Sequence, residues 1–249
     1  MRTFLLLLQL SVISLAQDAK QIVAESQKRQ NVKSQKYQGV LQVIDASGKT
    51  TEKSWATERS GSWGTSKLMI RFTAPAEVKG VGLLVVNHPD RASDQWMWIP
   101  SIGRDRRVAL QDRKTRFFGT DFSFEDLEER EVEQFDWKMM GEAAVDGAPC
   151  WKIESRPKQS RASQYTSNLL WVRKDNYVVA QLESFTQDQL IRRLFYKNIE
   201  QVQGIWTARV LEMHDLKRKS TTILKLEKLA FNAPVKEENF TVQALRREQ

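Results

Sequence analysis

The sequence is poor in the residues from which most catalytic and metal sites are built. Its 249 residues include one cysteine, Cys150, and two histidines, His88 and His214. A single cysteine excludes an intramolecular disulfide, so the hydrophobic core must hold the fold unaided. Cys150 lies between Pro149 and Trp151, and we interpret it as a small buried residue at the start of a strand rather than as a nucleophile.

Recognisable catalytic patterns are absent as well. The two histidines are far apart and neither lies in a pattern of metal ligands, so we expect each to be a surface or strand residue. The sequence contains no Gly-x-Ser-x-Gly elbow, no glycine-rich phosphate loop and no His-Glu-x-x-His motif. We therefore predict no catalytic residues, no metal site and no cofactor, and we do not expect an enzyme.

Long apolar runs are missing except at the start. Residues 4–15 form an apolar stretch after the positive Arg2, and Ser14 and Ala16 supply the small residues that a signal peptidase reads. The stretch is shorter than the roughly 20 residues of a membrane-spanning helix, which makes an uncleaved anchor the less favoured alternative. We predict a signal peptide over residues 1–16, no lipid-modified cysteine, and a single domain over residues 17–249.

The balance of charge is basic. Lys and Arg number 39 against 31 Asp and Glu, a formal net charge of +8. The excess serves solubility or attracts anionic lipid head groups and acidic partners. Nucleic acid is not an expected partner, because basic and acidic residues alternate along most of an exported chain.

Alternation of apolar and polar residues is the main pattern of the sequence after residue 31. Residues 19–31 have helical spacing, whereas residues 37–44 and 49–59 alternate around a turn-rich cluster and predict a hairpin. Similar strands recur to residue 231, and a short turn or helix is expected near residues 237–240. The predicted fold is mainly β (α+β), an incomplete antiparallel β-barrel or strongly curved sheet with a few helices.

The centre of the chain interrupts this rhythm. Ser123 followed by Glu125 and Asp126 is typical of a helix start, so we predict a short helix over residues 123–129. Seven acidic residues fall within residues 121–133, and we expect them to form a solvated face.

Aromatic residues and arginines are concentrated in residues 94–126. Trp96 and Trp98 share one face of a predicted strand. One interpretation is that the aromatic residues fill the core while the arginines pair with nearby acids. The other is that a curved sheet presents an aromatic face to an apolar ligand, with arginines at its mouth meeting a charged head group or a partner protein.

An ordered series of motifs resembles the exported LolA/LolB-like outer-membrane lipoprotein-sorting proteins. The resemblance extends from about residue 68 to residue 245. Its motifs are residues 69–72 with Pro75, residues 80–85, 94–100, 104–107, 118–126, 170–177 and 204–207. This family resemblance implies an incomplete barrel whose helices form a lid and which shields acyl chains in transit across the periplasm.

On this basis we expect a soluble periplasmic carrier of a lipoprotein or another lipid, with an inner-membrane exporter and an outer-membrane acceptor as possible partners. The alternative is a non-catalytic periplasmic adaptor of a membrane exporter. The residues predicted to face the ligand are Trp96, Trp98, Phe117, Phe118 and Phe122. Those predicted to meet the head group or partner are Arg104, Arg106 and Arg107.

Overall fold

A computed structural model of the chain describes residues 18–247, and its main feature is one antiparallel sheet. The signal peptide predicted over residues 1–16 lies outside the described residues. The described strands are β1 (Ser34–Ile44), β2 (Thr50–Ser60), β3 (Lys67–Ala74), β4 (Gly82–Val86), β5 (Asp94–Ile99), β6 (Arg104–Arg107), β7 (Phe135–Val145), β8 (Ala148–Pro157), β9 (Ser167–Arg173), β10 (Val179–Thr186), β11 (Gln189–Val202), β12 (Ile205–Asp215) and β13 (Ser220–Phe231).

Two meanders meet in the middle of this sheet. The spatial order is β6-β5-β4-β3-β2-β1-β13-β12-β11-β10-β9-β8-β7, so β1 pairs with β13 and the two edges are β6 and β7. We call β1 to β6 the first wing and β7 to β13 the second wing. The sheet is not closed into a barrel, and the mainly β, open antiparallel fold predicted from the sequence is confirmed.

The first hairpin shows how local sequence sets the register. Asp45 accepts hydrogen bonds at its carboxylate from the backbone N–H of Ser47 (2.9 Å) and of Lys49 (3.0 Å), and Gly48 takes a left-handed conformation. This turn chemistry places Ile44 opposite Thr50. The hairpin predicted over residues 37–59 is confirmed.

Strands β3, β4 and β5 contribute side chains to two covered faces of the sheet. On β3, Ile70 belongs to the main hydrophobic core, whereas its neighbour Met69 packs with Leu84 in a second, smaller cluster. We call these the inner face and the outer face. Alternation with a period of two residues therefore supplies both clusters from the same strands.

Helix α1 (Ala19–Arg29) covers part of the inner face. Asp18 caps its first turn, and the buried positions are Ala19, Ile22, Val23 and Ser26, as their helical spacing predicts. The helix packs against β7 and β9. Among residues 18–247, no helix combines the length and the apolar character that crossing a lipid bilayer requires.

The connection between the two edge strands also crosses the inner face. We call residues 108–134 the central segment. Here the helix predicted over residues 123–129 is wrong in length, since only the 3-10 turn Glu125–Leu127 forms. The chain leaves the helical conformation at Glu128 because Glu125 and Glu128 are buried and bind partners on other elements. Further 3-10 turns are Pro100–Ile102, Leu110–Asp112 and Val132–Gln134.

The end of the chain covers the outer face of the first wing. The 3-10 turn Glu237–Asn239 confirms the predicted terminal turn, and helix α2 (Val242–Leu245) follows it. Leu245 is fully buried against β4 and β5. The guanidinium of Arg71 donates to the carbonyl oxygens of Ala244 (2.9 Å) and Leu245 (3.0 Å), which fixes α2 on the sheet.

Candidate functional site

A cavity lies on the inner face beneath α1 and the central segment. It has two adjoining parts, with volumes of about 290 and about 380 Å³, which is the size range of small-molecule sites. The two parts share a wall, formed by Gln30, Gln35, Tyr37, Trp63, Asp126, Leu194, Tyr196, Thr207 and Leu211.

The sheet supplies an apolar floor to the cavity. Positions two residues apart on the second wing point to the same side, for example Leu194 and Tyr196 on β11 and Leu211 and Met213 on β12. Neighbouring strands extend this floor with Leu170, Val179, Leu182, Leu224 and Leu226. The strands that form the floor are those that the sequence predicts as a meander.

The central segment supplies a polar wall, because most of the acidic residues between 121 and 133 are buried or half-buried, although Glu133 is exposed. The expectation of a solvated acidic face over residues 121–133 is therefore wrong. Asp121 is fully buried and accepts from the hydroxyls of Ser220 (2.5 Å) and Thr222 (2.8 Å). Asp121, Asp126, Glu128 and Glu129 each pair with at least one arginine.

Glu128 has the most buried ion pairs. Its carboxylate lies 2.8 Å from Arg113 and 3.4 Å from Arg161, and it accepts a 2.8 Å hydrogen bond from the Gln95 amide. The side chain is only 2% exposed. Burial raises the pKa of Glu128, and the two arginines oppose that rise.

Asp126 anchors the central segment to the second wing. Its carboxylate accepts from Arg192 (2.5 Å) and from the Tyr165 hydroxyl (2.7 Å). Burial lowers the pKa of Arg192, but Asp126, Tyr165 and Asp215 together outweigh burial and raise it above its usual range. Burial raises the pKa of Tyr165, and Asp126 adds to that rise.

Sequence reasoning missed these arginines. Arg192 occupies an inward position two residues before Leu194, on a face that is otherwise apolar. A charged residue inside such an apolar alternation is a signal that a buried partner exists. The identity of that partner had no comparable signal, because Asp126 lies 66 residues away in the sequence.

Three of the residues predicted to face the ligand lie in the central segment. Phe117 is fully buried and, together with Phe118, contacts Phe72 of β3, with ring centroids 5.4 and 5.8 Å apart. We call Trp55, Phe72, Phe117, Phe118 and Phe124 the aromatic cluster. Phe122 lines the smaller part of the cavity, next to this cluster.

The other two predicted residues lie on the opposite side of the sheet. Trp96 and Trp98 share one face of β5, as expected, and that face is the outer one. Both are half-buried and pack with Leu84, Phe240 and Leu245 beneath the end of the chain. The structure does not bring them to the cavity wall with Phe122.

The predicted head-group arginines lie along the edge strand β6. Arg106 pairs with Asp112 at 2.8 Å, and Arg107 pairs with Asp94 while lying 5.9 Å from the ring of Trp96. Arg104, Arg106 and Arg107 are exposed to solvent and do not line the cavity.

Asp94 is the centre of the charges on this edge. Hydrogen bonds from Arg91, and also from Arg107 and His88, hold the pKa of Asp94 well below its usual range, although burial opposes them.

His214 pairs with Glu212 on β12 at 2.7 Å. No group of His, Cys, Asp and Glu within residues 18–247 has an arrangement that could hold a metal ion.

Cys150 is buried near the start of β8, as predicted. Burial raises the pKa of its thiol, which lowers its reactivity as a nucleophile.

Solved structures with this arrangement of strands belong to one class of fold. A DUF1329 family protein from Desulfovibrio piger superposes with a TM-score of 0.87 at 24% identity, covering 91% of this chain and 97% of that one. A domain from Vibrio parahaemolyticus described as an outer membrane lipoprotein-sorting protein gives a TM-score of 0.87 at 22% identity, covering 92% and 98%. A LolA superfamily protein from Nitrosomonas europaea gives 0.71 at 18% identity, covering 91% and 99%.

The chain therefore shares the fold of these three structures, and the resemblance stated from sequence motifs is confirmed at the level of fold. A family model described as "Uncharacterized protein" matches residues 64–247, nearly three quarters of the chain, and the chain belongs to that family. No curated protein matches the chain in sequence.

Proposed function

We propose that this protein is a periplasmic carrier that holds the acyl chain of a lipid or lipoprotein in the cavity beneath α1. The observation that carries the proposal is the cavity itself, which has an apolar floor on the second wing and is covered by α1 and the central segment. The LolA-superfamily fold of the chain supports this proposal.

Hydrophobic burial supplies the affinity that such a carrier needs. Each methylene moved from water into an apolar cavity contributes about 0.8 kcal/mol, so one long acyl chain contributes many kcal/mol. The proposed transfer needs no chemical step. A second protein that binds the acyl chain more tightly takes it once the cavity opens.

Helix α1 is the element best placed to open the cavity. A few polar contacts tie it to its surroundings: Ser26 Oγ donates to the carbonyl oxygen of Tyr177 (2.6 Å), and Trp63 Nε1 donates to that of Gln27 (2.9 Å). Gln27 in turn donates to the carbonyl oxygen of Arg130 in the central segment (2.6 Å). We propose that α1 acts as the lid and that these bonds break when cargo enters or leaves.

The arginines that the sequence predicts to meet a head group or a partner fit this proposal as a surface for partners. The exposed edge formed by Arg104, Arg106 and Arg107 lies away from the cavity. We propose that it meets a partner protein, such as an inner-membrane exporter or an outer-membrane acceptor, or an anionic head group at a membrane surface.

Native mass spectrometry of protein purified from a periplasmic extract tests the carrier proposal. The expected result is a lipid that co-purifies with the wild-type protein. Ala208 is buried on β12 and lines the larger part of the cavity, so Ala208→Phe is expected to fill that part and abolish the adduct. The matched control is Ala143→Phe at an exposed position on β7, which is expected to keep the lipid.

A lipid-free wild-type protein that binds no added acyl ligand would contradict the carrier proposal. It would favour the alternative of an exporter adaptor with a cavity that holds no cargo. Melting temperatures of both variants show whether loss of the adduct reflects filling of the cavity or loss of the fold.

A further inference from the structure

Arg130 stands out among the arginines that reach the central segment. It lines the larger part of the cavity, and its Nη1 atom is buried. Among residues 18–247 this nitrogen has no hydrogen-bond partner, and the guanidinium forms no ion pair. Its one described side-chain contact is the ring of Tyr165, 5.8 Å from the guanidinium carbon.

The neighbouring arginines are different, because each pairs with a carboxylate. Arg59 pairs with Glu129 at 2.5 Å, and Arg192 pairs with Asp126 at 2.5 Å. Arg113 and Arg161 share Glu128. Asp126, Glu128 and Glu129 thereby already have arginine partners, and among the described residues that line the cavity Arg130 is a cation without a carboxylate partner.

A buried donor without a partner costs free energy, and a cation costs more than a neutral group. A ligand that supplies an acceptor with negative charge removes that cost. Guanidinium groups bind carboxylates and phosphates with short, charge-assisted hydrogen bonds, often two at a time.

We propose that Arg130 binds the anionic end of the cargo, so that the ligand is an amphiphile with an apolar chain and a carboxylate or phosphate. The inference rests on the proposed carrier function and names the class of its ligand. The apolar chain lies on the floor formed by the second wing, and the anionic end lies at the polar wall.

This placement also connects the ligand to the lid. The carbonyl oxygen of Arg130 accepts the 2.6 Å hydrogen bond from Gln27 of α1. An anion at the Arg130 side chain therefore binds next to the point where the central segment holds the lid. The exposed arginines of β6 do not line the cavity.

The affinities of three probes test this inference. Each affinity is measured by displacement of a neutral fluorescent naphthylamine from the cavity. The probes are hexadecanoate, hexadecyl phosphate and hexadecanol, which share one chain length and differ in their polar end. Wild-type protein is expected to bind both anions more tightly than the alcohol. Arg130→Gln is expected to lower the affinity for both anions by about tenfold or more. Its affinity for the alcohol is expected to stay within about twofold of the wild-type value.

The matched control is Arg156→Gln, which removes the same charge from an exposed position of β8. It is expected to bind all three probes as the wild type does. The relative affinities of the carboxylate and the phosphate in the wild type identify which of the two anions the site prefers.

Equal binding of anions and alcohol by the wild type, or an equal loss of all three in Arg130→Gln, would overturn the role of Arg130 and leave the carrier proposal intact. If none of the probes binds the wild type, the carrier proposal itself fails. Melting temperatures of both variants show whether a loss of binding reflects loss of the fold.

Discussion

The inner face of this sheet is packed with aromatic rings over part of the first wing and hollow mainly over the second wing, although the smaller part of the cavity reaches Tyr37, Trp55 and Leu68. Over β2 and β3 the aromatic cluster packs the central segment onto the sheet, with ring centroids 5.3 to 6.0 Å apart. Over β9 to β13 the same segment presents acids and arginines to a cavity. One connecting segment therefore closes the first wing with its own side chains and leaves room for a ligand over the second.

The difference arises from the side chains that the central segment offers to each wing. Phe117 and Phe124 are buried and pack against each other in the aromatic cluster. Asp126 and Glu128 are charged and pair with the buried Arg192 and Arg113 at the polar wall. Concentration of aromatic residues in the sequence thus marks the part of the inner face that the protein fills itself.

The largest effect is expected from truncation in the filled region. Phe117→Ala is expected to lower the free energy of unfolding by about 3–5 kcal/mol, because it opens a hole in a close-packed cluster. Leu194→Ala, at the wall of the cavity, is expected to cost only about 2 kcal/mol, because Leu194 already borders open space. Urea unfolding of the two variants measures both values. Equal losses would contradict the distinction between a filled and a hollow region.

The next largest effect is expected at the polar wall. Glu128→Gln keeps the shape of the side chain but leaves Arg113 and Arg161 buried without their carboxylate. We expect a loss of about 3 kcal/mol in the free energy of unfolding. Lipid affinity is expected to fall as well, since this wall positions the central segment over the cavity. If Glu128→Gln has the stability and the lipid affinity of the wild type, the ion pairs of Glu128 do not position the central segment over the cavity.

A smaller and pH-dependent effect is expected at the edge of the filled wing. The pKa of Asp94 is lowered from its ordinary value of 3.8, so its ion pairs stabilise the folded state above that pH. Asp94→Asn is expected to cost about 1 kcal/mol at neutral pH, because Arg91 and Arg107 are largely exposed.

The cost of Asp94→Asn is expected to stay constant down to about pH 5 and to shrink below the ordinary pKa of 3.8. In that range the unfolded wild type takes up a proton at Asp94, whereas the folded wild type, in which the pKa of Asp94 is lowered, does not. Unfolding curves of both proteins across this range measure the change. A difference that grows as the pH falls would contradict this assignment.

The smallest effect on stability is expected at the lid. Trp63→Phe removes the hydrogen bond to the carbonyl oxygen of Gln27 and is expected to cost less than about 1 kcal/mol. Hydrogen exchange within α1 is nevertheless expected to rise, while exchange in the aromatic cluster stays unchanged. The matched control is Trp206→Phe, which lines the cavity without a bond to α1. Equal rates of hydrogen exchange within α1 in the two variants would argue against a role of Trp63 in holding the lid closed.

Strands were the part of this fold that the sequence could predict. Alternation and turn chemistry are local, and they place the β1–β2 hairpin close to its observed bounds and the last strand at its observed end, residue 231. The burial of Ala19, Ile22 and Val23 in α1 follows from their helical spacing in the same way.

The location of the cavity could not be predicted, because it depends on what covers each face of the sheet. Alternation places Trp96 and Trp98 on a shared face but does not say which face. Both faces of β5 are covered, the inner one by the central segment and the outer one by residues 235–245, far away in the sequence. The burial of the acids of the central segment could not be predicted for a similar reason, since Arg161 follows the next two strands and Arg192 lies on β11.

Photo-crosslinking with a diazirine-labelled hexadecanoate, followed by peptide mapping, tests the central claim most directly. Carrier function in the hollow region predicts labels on α1, β10, β11 and β12, and their loss in Ala208→Phe. The prediction that Trp96, Trp98, Phe117 and Phe118 face the ligand is tested by the same map. Labels concentrated on those residues, with none on β11 or β12, would contradict a ligand site beneath α1.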